Sequence, residues 1–167
     1  MLNIIKYPDK ILRQRTKKVA KIQEPEFQRF LTELSETMLK EDGIGLAASQ
    51  VKSQLRVAVI KMKGGPEFLI NPRICWRALF KKNTVDEGCL SFPGIYGLVK
   101  RPFWVKISYK DKNGRRLKFR AEGLLATVIQ HEIDHLNGVL FIDKIFKYTR
   151  GEDKVKALIA RAKLNER

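Results

Sequence analysis

Histidine is nearly absent from this chain of 167 residues, which has two of them and only two cysteines. So few thiols exclude a disulfide-stapled scaffold and suit a reducing compartment. So few imidazoles exclude a metal site built from three histidines. No apolar run approaches the length needed to cross a bilayer, so no membrane partner is expected. Met1-Leu2-Asn3-Ile4-Ile5 lacks the basic start and small-residue cleavage site of a secretory leader. The expected address is therefore the cytoplasm of a bacterium, or an organelle interior for a processed form. Negative charge is also scarce, with 18 Asp and Glu against 34 Lys and Arg and a net charge of +16. A field of this sign draws polyanions, nucleic acid above all, although a lysine-rich surface on an ordinary globular protein gives the same count. The deficit is uneven. Residues 83–99 and 121–143 hold six carboxylates and no Lys or Arg, two acidic islands in a basic chain.

Both histidines lie in the second island, in Gln130-His131-Glu132-Ile133-Asp134-His135-Leu136-Asn137-Gly138. Leu124, Leu125, Val128, Ile129 and Leu136 recur at helical spacing before a glycine stop, so the segment reads as a helix. On a helix, residues four apart stack on one face, where His131 and His135 can hold one metal ion. Glu132 sits one step round, placed to reach a water on the metal rather than the metal itself. An ordinary amphipathic helix can also carry His-Glu-x-x-His, so a third ligand has to be found. With no third histidine it must be a thiolate or a carboxylate. Cys75, in Ile74-Cys75-Trp76, reads as a buried strand residue. Cys89 lies in Glu87-Gly88-Cys89-Leu90-Ser91-Phe92-Pro93, a sharply shaped segment after a strand, and is the favoured ligand. Glu152 and Asp153 remain as carboxylate alternatives. Glu87 and Asp134 are acidic neighbours of the ligands, and Arg101 is a candidate ion-pair partner for either. One thiolate and two imidazoles accept iron, zinc, nickel or cobalt.

Three segments, Gly43-Ile44-Gly45-Leu46-Ala47-Ala48-Ser49-Gln50, Glu87-Gly88-Cys89-Leu90-Ser91 and Gln130-His131-Glu132-Ile133-Asp134-His135, resemble the three motifs of the peptide deformylase family, in that family's order. Ser49 departs from the proline common there, which affects loop stiffness more than chemistry. The resemblance implies a hydrolase that removes the formyl group from the N-terminal formyl-methionine of nascent polypeptides and releases formate. It implies one ferrous iron per chain, with zinc second, held by Cys89, His131 and His135. Glu132 would move protons, while the Gln50 amide and the Leu90 N–H hold the developing oxyanion. Gly45 would form a wall close to the formyl group, and Ile44, Leu124, Thr127 and Val128 would line a methionine pocket.

At 44% apolar residues the chain can bury one real core, and no linker, repeat or low-complexity stretch divides it. The expectation is one catalytic domain over residues 1–167. Pro25 to Lys40 carries Phe27, Phe30, Leu31, Leu34, Met38 and Leu39 at helical spacing. Strands follow at 55–60, 68–72, 74–80, 104–109 and 117–120, the last two joined by an Asn113-Gly114 hairpin turn. Helix, antiparallel strands and metal helix together predict an α+β fold, with antiparallel strands around a central metal-binding helix. Residues 151–167 read as a C-terminal helix with one narrow apolar stripe, Val155, Leu158, Ile159 and Ala162, flanked by Lys154, Lys156, Arg161 and Lys163. Similarity to bacterial deformylases implies that this helix docks on ribosomal RNA. Two other functions fit parts of the sequence: a zincin-type metallopeptidase with a carboxylate third ligand, which gives Cys89 no task, and a ribosome- or RNA-associated protein with a relic metal site.

Overall fold

A computed structural model describes residues 1–164; residues 165–167 lie outside it, as do the Lys163 and Leu164 side chains. In chain order the elements are α1 (Pro25–Lys40), β1 (Gly45–Ala47), β2 (Val57–Met62), β3 (Gly65–Arg77), β4 (Lys82–Gly88) and β5 (Tyr96–Pro102). They are followed by β6 (Trp104–Lys110), β7 (Arg116–Glu122), α2 (Gly123–Leu136), β8 (Ile145–Arg150) and α3 (Glu152–Leu164). The strands form two sheets, one of order β1-β2-β3-β6-β7 and one of order β4-β5-β8, with antiparallel pairing within each. The fold is α+β, as the sequence predicts.

Helix α2 carries both histidines and packs between the sheets, against β1, β2 and β7 of the first and β4 and β5 of the second. Its Ala126, Val128, Ile129 and Ile133 join Leu69, Val105 and Ile107 in one core cluster. Helix α1 covers another region of the large sheet, where Phe27, Leu31, Leu34 and Met38 meet Val57, Val59 and Ile70. A third cluster joins Phe92, Ile95 and Phe141 to Val155 of α3. The predicted stripe of α3 therefore packs on the domain, with Leu158 and Ile159 half-buried at the same cluster.

Several local readings change. Residues 45–47 of the first motif form strand β1, paired with Ala58 to Ile60 of β2, and Ala48–Val51 makes a short helical turn after it. The runs at 68–72 and 74–80 merge into one strand, β3, which stops at Arg77 rather than residue 80 and has irregular register near Asn71 and again at Cys75. Beyond Ile70, β3 leaves its partner β2 behind and is paired only with β6. That overhang exposes Cys75, which was expected to be buried. Strand β8 had no reading from the sequence, because Ile145-Phe146-Lys147-Tyr148-Thr149-Arg150 alternates weakly and gains its order from pairing with β5.

The C-terminus of α2 is tied down by several donors. The Leu136 carbonyl accepts from the Thr16 N–H (3.0 Å), the Thr16 hydroxyl (2.8 Å) and Arg56 (3.1 Å), which satisfies an end group that would otherwise be buried without a partner. Gly138, at φ +75°, then turns the chain against the segment of Arg13, where an added Cβ would stand 2.3 Å from the Arg13 carbonyl oxygen. Gly138→Ala is expected to cost more than about 1 kcal/mol, read as a lower thermal midpoint, because both the backbone angle and the rigid neighbour oppose it.

Candidate active site

Strand β4 ends at Gly88, and the chain turns so that Cys89 enters the space beside α2. Gly88 permits the turn to lie flat on Tyr96, since a Cβ there would come within 2.5 Å of the Tyr96 ring. Cys89, His131 and His135 each bring one ligand atom into a group within 4.8 Å of one another. The Cys89 Sγ lies 3.2 Å from His135 Nε2. Glu152 and Asp153, the carboxylate alternatives, are exposed at the start of α3, and Glu152 pairs with Lys156. The metal-binding group is therefore the thiolate set.

The ligands are held from behind. His131 Nδ1 lies 2.9 Å from Glu87 Oε2, which leaves Nε2 facing the other ligands. Arg101, almost fully buried on β5, donates to both oxygens of Glu87 and, at 2.6 Å, to Asp134 Oδ2. Lys144 also reaches Asp134, at 2.6 Å. Burial would raise the Glu87 pKa, but hydrogen bonds from His131 and Arg101 outweigh it and hold the carboxyl at about 2. Burial likewise pulls the Arg101 pKa down, and Glu87 and Asp134 more than restore it. For His131, burial is overcome by hydrogen bonds to Cys89 and Glu87, which raise the pKa to about 10, whereas burial and the charge on His131 push His135 well below its usual range. A metal held here would displace the proton that His131 favours, since a ligating imidazole is neutral.

Glu132 is buried on the same cavity wall, and Oε2 has no hydrogen-bond partner among the described residues. Burial raises its pKa to about 7. A lone buried carboxylate oxygen beside a soft thiolate and two imidazoles fits a site that takes a metal and a polar reactant together. Gly45 explains how the carboxylate fits: a Cβ on this residue of β1 would lie 2.4 Å from Glu132 Oε1. Gln50 stands at the end of the turn after β1. Its Oε1 accepts from the Ala47 N–H, so its Nε2 is turned toward Cys89 Sγ (3.4 Å) and Ser91 Oγ (3.3 Å). The Leu90 N–H has no hydrogen-bond acceptor among the described residues. Ile44, Gly45, Gln50, Glu87, Cys89, Leu90, Leu124, Thr127, Val128, His131 and Glu132 all border one cavity of about 510 Å³. Leu124, also read as part of the helix's apolar stripe, is 59% exposed at its mouth, and Ile44 is 51% exposed. His135, Arg101 and Asp134 lie behind the wall.

Three supports had no reading from the sequence. Ile5 N–H donates to the Gln50 carbonyl (2.8 Å), Tyr7 N–H to the Ser91 carbonyl (3.1 Å) and Lys6 Nζ to the Leu90 carbonyl (2.7 Å). The chain from Ile5 to Tyr7 thus straps the two segments that present Gln50 and Leu90. Its apolar residues carry no motif, so only the long-range pairing reveals it. Ser91 lay inside a recognised motif without an assigned task, and its contact with Gln50 supplies one.

Sulfur and imidazole donors meeting beside a buried acid at a cavity wall define a class, the metal-dependent hydrolases. The particular family follows from comparison with known proteins. The family model described as polypeptide deformylase matches residues 1–151. A peptide deformylase of Psychrobacter arcticus is 42% identical over 164 residues, covering 95% of this chain and 88% of its own, and one of Brucella suis is 44% identical over 152 residues, covering 88% and 86%. Among solved structures, a Synechococcus elongatus peptide deformylase in complex with actinonin superposes with a TM-score of 0.83 at 44% identity, covering 86% of this chain and 80% of its own. Peptide deformylase 1B of Arabidopsis thaliana gives 0.86 at 37% identity, covering 99% and 92%. The chain belongs to the polypeptide deformylase family, metal-dependent hydrolases that remove the formyl group from N-terminal formyl-methionine. That membership leaves neither the metallopeptidase nor the relic-site reading in favour.

The ligand set is tested by metal content. Cys89→Ala is expected to lose bound metal, as are His131→Ala and His135→Ala, whereas exposed Cys75→Ala should retain the full complement measured by elemental analysis of anaerobically prepared protein. Full occupancy in Cys89→Ala would reassign the third ligand.

Proposed function

We propose that Glu132 carries the proton in hydrolysis of the N-formyl amide, in one catalytic unit spanning residues 1–167. The observation that supports it most directly is the buried Glu132 carboxylate, with a pKa near 7 and an unpartnered Oε2, on the wall of the cavity beside the three ligands. Cys89, His131 and His135 would hold one divalent metal, ferrous iron by preference and zinc second, a Lewis acid that polarises the formyl carbonyl and acidifies water. Glu132 accepts a proton from water as its oxygen bonds to the formyl carbon. The carbonyl oxygen gains negative charge, which the Gln50 Nε2 and Leu90 N–H donors stabilise, each worth roughly 3 kcal/mol in typical deletions. The carbon–nitrogen bond then breaks, and Glu132 returns the proton to the leaving amine. Formate and a free α-amine result. Ile44, Leu124, Thr127 and Val128 take the methionine side chain. Gly45 keeps the wall thin enough for Glu132 to lie against it. Arg101, Glu87 and Asp134 fix the ligands without touching substrate.

Glu132→Gln should keep metal content and thermal midpoint near those of the parent while formate release from a formyl-methionyl peptide falls by at least ~100-fold. Near-normal turnover in the metal-loaded variant would send the proton path elsewhere.

The family match ends at residue 151, and α3 follows it. Its Val155 is buried, while Lys154, Lys156 and Arg161 are exposed. An anchored helix with an outward basic face supports electrostatic docking on ribosomal RNA, where formylated chains are made, and hence a cytoplasmic or organelle-interior address. Truncation before α3 would also uncover the core around Val155, so charge removal is the cleaner test. Lys154→Gln combined with Arg161→Gln is expected to weaken ribosome co-sedimentation and its salt dependence while peptide deformylation holds. Unchanged association would remove α3 from that role.

A further inference from the structure

A second cavity of about 520 Å³ shares no lining residue with the first, although both border α2. His131 and Glu132 face one, and the next residues, Ile133 and Asp134, face the other. Four arginines surround it: Arg15, Arg56, Arg73 and Arg77. The arginine ion pairs of the described residues use Arg13, Arg101, Arg115 and Arg120 instead. Asp134, the carboxylate on this wall, is already engaged by Arg101 and Lys144. Arg56 is only 9% exposed, and its protein acceptors, the Leu136 and Pro72 carbonyls and the Asn137 side chain, are all neutral. These take three of the five N–H donors of a guanidinium, and the rest have no protein acceptor among the described residues. Burial and the nearby charge of Arg15 both work against its own charge. The α2 C-terminus offsets part of it. The other three guanidiniums are exposed and pair with no carboxylate among the described residues.

Strand β3 adds an aromatic surface. Ile74 is opposite Ile107 and Trp76 is opposite Lys106, the adjacent position on β6, so Cys75 is an extra residue in a bulge. Bulges re-aim side chains. Here Arg73, Trp76 and Arg77 all border the cavity, and Trp76 is 70% exposed. Apolar surface continues from its rim, with Leu79 77% and Phe80 94% exposed just after the strand. A free nucleotide has one base and would use one such surface, whereas a strand can use both. We propose that this cavity binds single-stranded RNA, with a backbone phosphate among Arg56, Arg73 and Arg77 and a base stacked on Trp76. The catalytic mouth stays open when it does so, because the two cavities have separate walls. This contact is independent of α3.

The test uses the full metal-loaded chain and a labelled uridine oligomer of about 12 nucleotides. Binding should quench Trp76 fluorescence. Trp76→Ala should weaken affinity about tenfold and abolish the quench, and Trp76→Phe should recover most of the affinity. Arg73→Gln combined with Arg77→Gln should weaken binding by at least about tenfold and flatten its dependence on salt. All these variants should deformylate a short formyl-methionyl peptide at the parent rate, which also reports that they fold. Parent-like RNA affinity in both Trp76→Ala and the arginine pair would place RNA elsewhere on the surface and overturn the proposal. Equal affinity for uridine monophosphate and the oligomer would make the ligand a free nucleotide and overturn it equally.

Discussion

The buried contact of Arg101 with Glu87 and Asp134 holds the rest of the site in register. Its three partners come from three places: Arg101 from β5, Glu87 from β4 and Asp134 from α2. Glu87 orients His131, and two residues later the same strand delivers Cys89. One guanidinium therefore fixes the distance between the thiolate segment and the helix that supplies both imidazoles. Burying such charges costs several kcal/mol per ion unless each is paired with good geometry. Here each Glu87 oxygen and Asp134 Oδ2 meets a donor, so removing the arginine alone would leave Glu87 with His131 as its one partner and Asp134 with Lys144, and nothing would join β4 to α2 through a shared cation.

Around that contact the two sheets divide the labour. The large sheet gives α2 a broad apolar seat through Leu69, Val105 and Ile107, and its edge strand β1 presents Gly45 and leads to Gln50. The small sheet carries Glu87, Arg101 and the turn to Cys89. Between them, α2 is amphipathic in an unusual sense. One face is core, another holds ligands and Glu132 at the cavity, and its C-terminal residues reach a basic surface.

Much of this was legible in the residues. Two histidines four apart limited the ligand set, and the sharply shaped segment from Gly88 to Pro93 favoured Cys89 over Cys75 and the carboxylates. The α+β class, α1, α2 and the Asn113-Gly114 hairpin follow from periodicity and turn chemistry. What stayed hidden depends on tertiary pairing. Strand β1 is three residues long and reads as a turn until β2 lies beside it. Strand β8 has its order from β5, and Cys75 looks like a core residue until β3 is seen to outrun β2. A single sequence encodes which residues prefer extension, but not which strand runs out of neighbours first.

The strap from Ile5 to Tyr7 joins an early stretch of the chain to the segments that carry Gln50 and Leu90, while the histidines lie beyond residue 130. Contacts this distant in sequence close late, after the loop entropy between them has been overcome. A chain emerging during synthesis therefore holds Gln50 and Cys89 well before it holds a place for metal. Metal capture then waits for α2, because the ligands converge only when that helix seats between the sheets. The three-ligand group therefore cannot assemble until synthesis has passed His135.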